Sequence, residues 1–293
     1  MKTVIWAWSI GILLWTLPAQ AQQVIAPSQT QPLSVPTVLS DLSEATVVYL
    51  GETHDRPADH EAQLEIIQAL HQRQPQLAIA MEMFQQPYQS VVNQYLAGEI
   101  TEAQLQQDSE FDRRWGFAWE YYAPILRYAR AQELPVIALN VPTEVTRQVA
   151  TDGLESLSDR DRQWIPPLSE IHTDNPDYRQ WLQDIYSSHS NHGVSDGFET
   201  FLQAQVLWDE TMAVGIAEFV QRHPGTQVVV LAGQGHILFG YGIPDRVQRR
   251  LGDRLVQRSV LLNPNPETRA EADVADYFWI NQTNDCKNSS REI

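Results

Sequence analysis

The sequence predicts an α/β protein with a mostly parallel central sheet and helices on both faces of that sheet. Short apolar runs rich in β-branched residues recur along the chain, such as TVVYL at 46–50 and QVVVLAG at 227–233. Longer amphipathic segments separate these runs. Parallel strands that are buried on both faces are apolar throughout, whereas half-exposed strands alternate with polar residues. The pattern therefore indicates a sheet whose two faces are both covered by helices.

Each strand is predicted from an apolar run that ends in turn-forming or polar residues. The predicted strands are residues 46–50, 77–82, 135–141, 227–233 and 258–263. Predicted helices show helical spacing of apolar residues and lie at 58–73, 86–97, 119–132, 143–150, 177–187 and 197–223, with one more after Pro244. The sequence predicts one α/β domain at residues 41–265, with a helical excursion at 150–195.

The N-terminus has the pattern of a cleavable signal peptide at residues 1–21. Lys2 precedes an apolar run, and Pro18-Ala19-Gln20-Ala21 matches an A-x-A cleavage site. An uncleaved membrane anchor is the alternative, but the apolar run is short for a span of roughly 20 residues. We therefore expect a periplasmic or secreted protein, with a flexible lead-in at 22–40 and a polar C-terminal tail at 266–293.

Charge and composition exclude several classes of function. The formal net charge is −17 and the chain contains two lysines, so no basic surface is expected for nucleic acid. The sole cysteine, Cys286, lies in the polar tail, so it forms no internal disulfide and is a poor nucleophile. The sequence also has no Gly-x-Ser-x-Gly motif. A serine or cysteine hydrolase is therefore disfavoured.

Two predicted strands end in the same Gly-x-x-His pattern. GETH places Glu52 and His54 after the first strand, and GQGH places His236 after the fourth. Glu82 ends the second predicted strand, and Asn140 ends the third. Because the carboxyl ends of parallel strands lie at one edge of a sheet, we expect these five side chains to converge there.

The convergent residues have two interpretations. Glycine serves many turns and histidine often caps a helix, so each turn taken alone is equally consistent with a structural role. Taken together, Glu52, His54, Glu82 and His236 supply the nitrogen and oxygen ligands that a divalent metal such as Zn or Mn accepts. The same four residues are the candidates for catalytic acid–base work.

Other polar residues give weaker signals. His189 and His192 lie in a loop-like stretch and are interpreted mainly as solvated residues, with ligation as the alternative. Arg114 stands in an aromatic cluster that is suited to core packing or to a flat acidic ligand. Asp209 lies mid-helix, where a buried hydrogen bond or a site-facing role is expected. His60 is expected at the surface or at a helix cap.

Several motifs in the same order resemble the ChaN-like haem-binding uptake proteins of the Tiki superfamily. The resemblance covers about residues 47–250, and its motifs are GETHD, IAMEMF, NQYLAGEITEAQL, WEYYAPILRYAR, PVIALNVP, AQVLWDETMA and VVVLAGQGHILFGYGIP. It implies an α/β fold of the ChaN or erythromycin-esterase-like type. It also implies an exported protein that is involved in haem or iron uptake.

The resemblance implies haem as the cofactor, with Tyr122 or Tyr241 as the iron ligand, because tyrosinate is a known axial ligand. His189, His192 and Arg114 are further candidates for contact with haem. A homodimer and a haem-transport partner at the outer membrane are also implied. The alternative that the superfamily implies is a divalent-metal-dependent hydrolase, which would use the two Gly-x-x-His motifs to activate water.

Overall fold

The protein forms one seven-stranded sheet within the part of the chain that the computed structural model describes, residues 22–27, 31–189 and 197–281. The strands are β1 (Gln22–Ile25), β2 (Val47–Glu52), β3 (Leu77–Gln85), β4 (Val136–Asn140), β5 (Gln227–Gly233), β6 (Gln257–Leu262) and β7 (Tyr277–Asn281). Their order in the sheet is β1-β7-β6-β2-β5-β3-β4. The β1–β7 pair is antiparallel and the other neighbouring pairs are parallel.

Helices connect the strands and cover both faces of the sheet. They are α1 (Val35–Ser43), α2 (Pro57–Arg73), α3 (Gln89–Leu96), α4 (Glu102–Asp108), α5 (Phe111–Arg114), α6 (Trp119–Ala131), α7 (Thr143–Asp152), α8 (Asp159–Arg162), α9 (Pro176–His189), α10 (Phe198–Arg222), α11 (Ile243–Leu251) and α12 (Pro266–Ala270). None of the helices in the described ranges has the length and apolarity that crossing a membrane requires.

The core lies on both faces of the sheet because successive side chains of a strand point to opposite faces. In β2, Val48 and Leu50 pack into the cluster that contains α2 and α6, whereas Val47 and Tyr49 pack into the cluster that contains α10 and α11. All four side chains are fully buried. The predicted fold class, a mostly parallel sheet with helices on both faces, is confirmed.

The sheet extends beyond the predicted domain limits of 41–265 at both ends. β1 lies in the predicted flexible lead-in, and both α12 and β7 lie in the predicted polar tail. β7 pairs with β6 on one side and β1 on the other, and its Trp279 is fully buried. The short segments β1 and β7 carry weak sequence signals, and pairing with distant residues stabilises them as strands.

The sheet register brings the functional residues to one edge. Glu52 pairs with Gly233, so β2 and β5 end at the same level. The β3–β5 ladder ends at Met81, and the register between β3 and β4 shifts between Met81 and Gln85. Glu82 lies in this irregular stretch, and such bulges commonly redirect side chains beside functional sites.

Candidate functional site

Polar side chains collect at the carboxyl ends of β2, β3 and β5. Glu52 ends β2, Glu82 lies in β3, and His236 lies in the 3-10 turn that follows β5. These three residues are buried, whereas the side chain of His54 is 26% exposed. Open α/β sheets place ligand sites at this edge.

Glu52 is the centre of a buried hydrogen-bond network. Its Oε1 accepts from the Tyr122 hydroxyl at 2.6 Å and from His54 Nδ1 at 2.9 Å. Its Oε2 accepts from Gln63 Nε2 at 2.5 Å. Three donors thus offset the cost of burying this carboxylate. Because Nδ1 is bonded to Glu52, the ring of His54 is oriented and its Nε2 remains available to a ligand.

The first two turns of α2 support the turn that carries His54. Asp59 accepts from the backbone N–H of Thr53 at 2.8 Å, and His60 Nε2 lies 3.1 Å from the carbonyl oxygen of His54. His60 Nδ1 lies 3.2 Å from Gln63 Oε1. Asp59, His60 and Gln63 are all buried, and burial raises the pKa of Asp59 to about 6. The expectation that His60 is a surface or capping residue is therefore wrong.

The ring of His54 packs between aromatic side chains and a glycine. Its centroid lies 4.7 Å from the ring of Trp115 and 4.9 Å from that of Phe117. A Cβ atom on Gly233 would lie 2.9 Å from both Cε1 and Nε2 of His54. Burial lowers the pKa of His54, but the hydrogen bond to Glu52 and the surrounding negative charges outweigh burial, so the pKa is raised above its usual value.

His236 lies between two buried carboxylates. Its Nδ1 is 2.6 Å from Asp209 Oδ1, and its Nε2 is 3.5 Å from Glu82 Oε1. The Tyr178 hydroxyl donates to the other oxygen of Asp209 at 2.5 Å. Burial lowers the pKa of His236, but the charges of Glu82 and Asp209 outweigh burial and raise the pKa to about 10. The imidazole is therefore protonated at neutral pH, with both nitrogens facing carboxylates.

Glu82 is held by the backbone around it. Its Oε2 accepts from the backbone N–H of Gly233 at 2.8 Å, and its carbonyl accepts from Asn140 Nδ2 at 2.9 Å. The indole N–H of Trp208 donates to Asn140 Oδ1. Burial raises the pKa of Glu82, but the charges of His236 and His54 and the hydrogen bonds from His236 and Gly233 together outweigh burial, so the pKa is lowered and the group is ionised.

Two cavities meet at His54. The first has a volume of about 460 Å³, and its apolar wall consists of Trp115, Phe117, Ala150, Phe201, Ala204 and Trp208. The second has a volume of about 410 Å³, and its lining includes Glu52, Thr53, Trp181, Ile185, Gly235 and His236. His54, Phe201 and Gln205 line both cavities. We call the first the apolar cavity.

Two arginines lie at the rim of the apolar cavity, Arg114 and Arg147. Arg114 is held in place, because it pairs with Glu110 at 2.7 Å and with Glu144 at 3.1 Å, and its guanidinium lies 5.0 Å from the ring centre of Tyr88. Arg147 is exposed and forms no ion pair with the described residues. It is therefore a cation that is available to an anionic group of a ligand.

The predicted haem ligands Tyr122 and Tyr241 line neither of these cavities. Tyr122 is fully buried, and burial together with the charge of Glu52 raises the pKa of its hydroxyl, so the hydroxyl keeps its proton and donates a hydrogen bond to Glu52. The ring of Tyr241 stacks on that of Phe239 at 5.3 Å. His192 and the side chain of His189 lie outside the described residues.

The described part of the chain does not show the predicted Zn or Mn site at Glu52, His54, Glu82 and His236. Across the described ranges, no group of three or more His, Cys, Asp or Glu side chains is arranged to hold a metal ion. Both nitrogens of His236 face carboxylates, and both oxygens of Glu52 already accept hydrogen bonds. Among these four residues, His54 Nε2 is the one ring nitrogen with no hydrogen bond or ion pair to the described part of the chain.

Sequence reasoning missed several residues that support the site. Gln63 and Tyr178 complete the networks around Glu52 and Asp209, respectively. One signal was present in the sequence, because α2 carries Asp59 and Gln63 on the side that packs against the sheet, where an amphipathic helix usually carries apolar residues. Tyr178 gave no such signal, since a buried tyrosine is ordinary in a core.

A family model described as haem-binding uptake, Tiki superfamily, ChaN matches residues 38–247 of the chain. The chain belongs to this ChaN family. A solved structure of ChaN from Campylobacter jejuni, described as binding haem cofacially, has a TM-score of 0.72 and 18% identity. That match covers 89% of this chain and 97% of the Campylobacter chain, and at this identity it shows the shared fold.

Two further comparisons involve a much longer protein and a structurally more distant one. A chloroplastic protein of Arabidopsis thaliana, RETICULATA-RELATED 5, is 29% identical over 266 residues, which cover 85% of this ChaN family member and 36% of the plant protein. This chain thus spans little more than a third of that relative. An erythromycin esterase has a TM-score of 0.47 and 15% identity, covering 83% of this chain and 76% of the esterase, which is too distant to support an argument.

Proposed function

We propose that this protein binds haem in the apolar cavity, with His54 Nε2 as the iron ligand, and that it serves haem or iron uptake as an exported protein. One observation carries the proposal. A mostly apolar cavity of about 460 Å³ is lined by His54, whose Nδ1 is bonded to a buried carboxylate and whose Nε2 remains available. Membership of the ChaN family supports haem as the ligand.

The donor set fits haem better than it fits a divalent metal ion. A haem iron already has four nitrogen ligands from its macrocycle and needs one axial ligand from the protein. A zinc site takes three or four protein ligands. Of the two described histidines at this edge, His236 faces carboxylates with both nitrogens and His54 with Nδ1 alone, so the site would supply one protein ligand to a haem iron rather than a complete metal-binding set.

The residues around His54 have separate tasks in this proposal. Glu52 accepts from Nδ1 and fixes the ring orientation, as carboxylates commonly do for ligating histidines. The rings of Trp115, Phe117 and Trp208 provide apolar surface for the macrocycle and exclude water. Arg147 at the rim pairs with a propionate group. Bound haem supplies an iron centre for carriage or for electron transfer.

The cellular parts of the proposal rest on the sequence. The signal-peptide pattern at residues 1–21 supports export to the periplasm or outside the cell. β1 begins at Gln22, so cleavage after Ala21 leaves the described sheet intact. A homodimer would cover the exposed side of a haem held beside the half-exposed Trp115 and Phe117. A transport partner at the outer membrane would deliver or receive the haem.

A haemin titration of the protein that begins at Gln22 tests the proposed ligand. We expect a saturable shift of the haem absorption band that is lost in His54→Ala. We expect the shift to persist in Tyr122→Phe and Tyr241→Phe, since neither hydroxyl lines the cavity. Loss of the shift in a tyrosine variant, with retention in His54→Ala, would assign the iron to that tyrosine and reject His54.

Two measurements test the cleavable signal peptide and the hydrolase alternative. N-terminal sequencing of the exported protein should begin at or near Gln22, and an intact Met1 would reject the cleavable signal. Metal analysis by mass spectrometry tests the alternative of a divalent-metal-dependent hydrolase. Both nitrogens of His236 face carboxylates, at 2.6 Å and 3.5 Å, so we expect no stoichiometric Zn or Mn. Stoichiometric metal that disappears in His54→Ala/His236→Ala would favour the hydrolase.

A further inference from the structure

One oxygen of Glu52 accepts two hydrogen bonds with different consequences. Glu52 Oε1 lies 2.9 Å from His54 Nδ1 and 2.6 Å from the Tyr122 hydroxyl. Both donors therefore compete for the electron density of a single carboxylate oxygen. The second oxygen accepts from Gln63, so the carboxylate cannot rotate away without breaking that bond. Glu52 is 2% exposed, which shields the arrangement from competing water.

The strength of the bond between Glu52 and His54 affects any iron that His54 binds. A carboxylate that accepts the second ring N–H makes the imidazole a more basic ligand. A more basic ligand donates more electron density to the iron and stabilises the ferric state over the ferrous state, which lowers the reduction potential. The Tyr122 hydroxyl withdraws density from the same oxygen, so it weakens this effect.

We propose that Glu52 and Tyr122 act in opposite directions to set the reduction potential of haem bound at His54. Glu52 stabilises ferric haem through His54 Nδ1, and Tyr122 limits that stabilisation through its bond to Glu52 Oε1. The inference rests on the proposed function. It makes both residues positioning residues, since each acts on the iron through His54.

The burial of Tyr122 makes this role persistent. Its side chain is fully buried and its hydroxyl lies 2.6 Å from Glu52 Oε1, so water does not compete for this hydrogen bond. Neighbouring Tyr121 is a natural control. Its ring stacks on His60 at 4.9 Å, and the described hydrogen bonds of Glu52 come from His54, Tyr122 and Gln63 instead.

The test uses two variants that shift the balance in opposite directions. Tyr122→Phe removes the competing donor and keeps the ring. Glu52→Gln/Gln63→Glu exchanges the amide and the carboxylate, so the site keeps its charge and the bond between residues 52 and 63 is reversed rather than lost. In the double variant His54 Nδ1 faces a neutral amide oxygen, which is a weaker acceptor.

We measure the reduction potential of bound haem by spectroelectrochemistry and the iron–histidine stretch of the ferrous form by resonance Raman. Relative to wild type, Tyr122→Phe should shift the potential to more negative values and raise the stretching frequency. The double variant should shift both quantities in the opposite direction and lower haemin affinity by about 10–100-fold. Tyr121→Phe should leave all three quantities unchanged.

The outcomes separate this inference from the proposed function. No saturable haemin binding by wild type, or binding that survives in His54→Ala, rejects the proposed function and the inference together. Haem that depends on His54 but has the same potential in Tyr122→Phe rejects the inference alone. Equal shifts in one direction for both variants also reject it. If the double variant does not fold, the sign of the shift in Tyr122→Phe decides.

Discussion

Replacing Gly233 by alanine tests the position of His54 with a single methyl group. The backbone of Gly233 has φ −58° and ψ 143°, which alanine adopts without strain. The new Cβ would lie 2.9 Å from Cε1 and Nε2 of His54, about 0.5 Å closer than the 3.4 Å at which ordinary contact begins. The imidazole must therefore move, although Glu52 and the rings of Trp115 and Phe117 hold it in place.

The size of the effect follows from the cost of overpacking. Inserting a methyl group into a well-packed site typically costs about 1–3 kcal/mol. If the proposed haem site carries this cost, haemin affinity falls by roughly 5- to 150-fold, since about 1.4 kcal/mol corresponds to a tenfold change. A methyl group at the available nitrogen also blocks the approach of iron to Nε2. Haemin titration followed by absorbance measures the change directly.

Gly235→Ala is the matched control in the same turn. Its Cβ would meet the ring of Trp181 at 3.9 Å, which is ordinary contact. We expect this control to bind haemin within about twofold of wild type, and thermal unfolding checks that both variants are folded. If folded Gly233→Ala binds haemin as tightly as wild type does, His54 Nε2 is not the iron ligand and the proposed geometry is refuted.

Three further predictions test the rim, the buried charges and the sheet edge. Arg147→Glu should weaken haemin binding by about tenfold without changing the band position, because it repels a propionate but leaves the iron ligand in place; haemin titration measures both quantities. The pKa of His236 is raised to about 10, so its pairing with Asp209 stabilises the fold fully below about pH 6.5. This contribution to the free energy of unfolding is lost as pH rises toward 10. In Asp209→Asn, the free energy measured by urea unfolding should therefore depend less on pH. The side-chain amide of Gln89 donates to Val136 O at 2.8 Å and accepts from Ala138 N at 2.7 Å on the outer edge of β4. Gln89→Ala should therefore lower the free energy of unfolding in urea by about 1–3 kcal/mol. It should also increase self-association, measured by light scattering, because the edge of the sheet is left unpaired.

Each of these predictions has an outcome that contradicts it. An unchanged haemin affinity in Arg147→Glu, with a reduced affinity in the exposed control Arg254→Glu, would place the haem elsewhere. A wild-type stability that stays constant between pH 6.5 and pH 10 would show that His236 is not charged in the fold. A Gln89→Ala variant with wild-type stability and wild-type light scattering would show that the side-chain amide does not protect the edge.

The sequence by itself determined the fold class and the edge of the sheet where the site lies. Fully buried parallel strands must be apolar on both faces, so β2, β3, β4 and β5 were visible as continuous apolar runs. The residues that end those runs were visible too, because strand ends are marked by a change from apolar to polar side chains. Parallel geometry then places Glu52 and His236 at the same edge.

The tertiary structure alone decided what each of these residues is able to do. Glu52 takes its partners from Gln63, 11 positions away, and from Tyr122, 70 positions away, and such distances leave no periodic signal in a sequence. The same contacts place Tyr122 in the core, where its side chain is fully buried. His54 and His236 follow the same motif, yet one keeps an available nitrogen and the other lies protonated between carboxylates. Their difference arises because Asp209 reaches His236 from α10, a helix whose packing depends on the whole sheet.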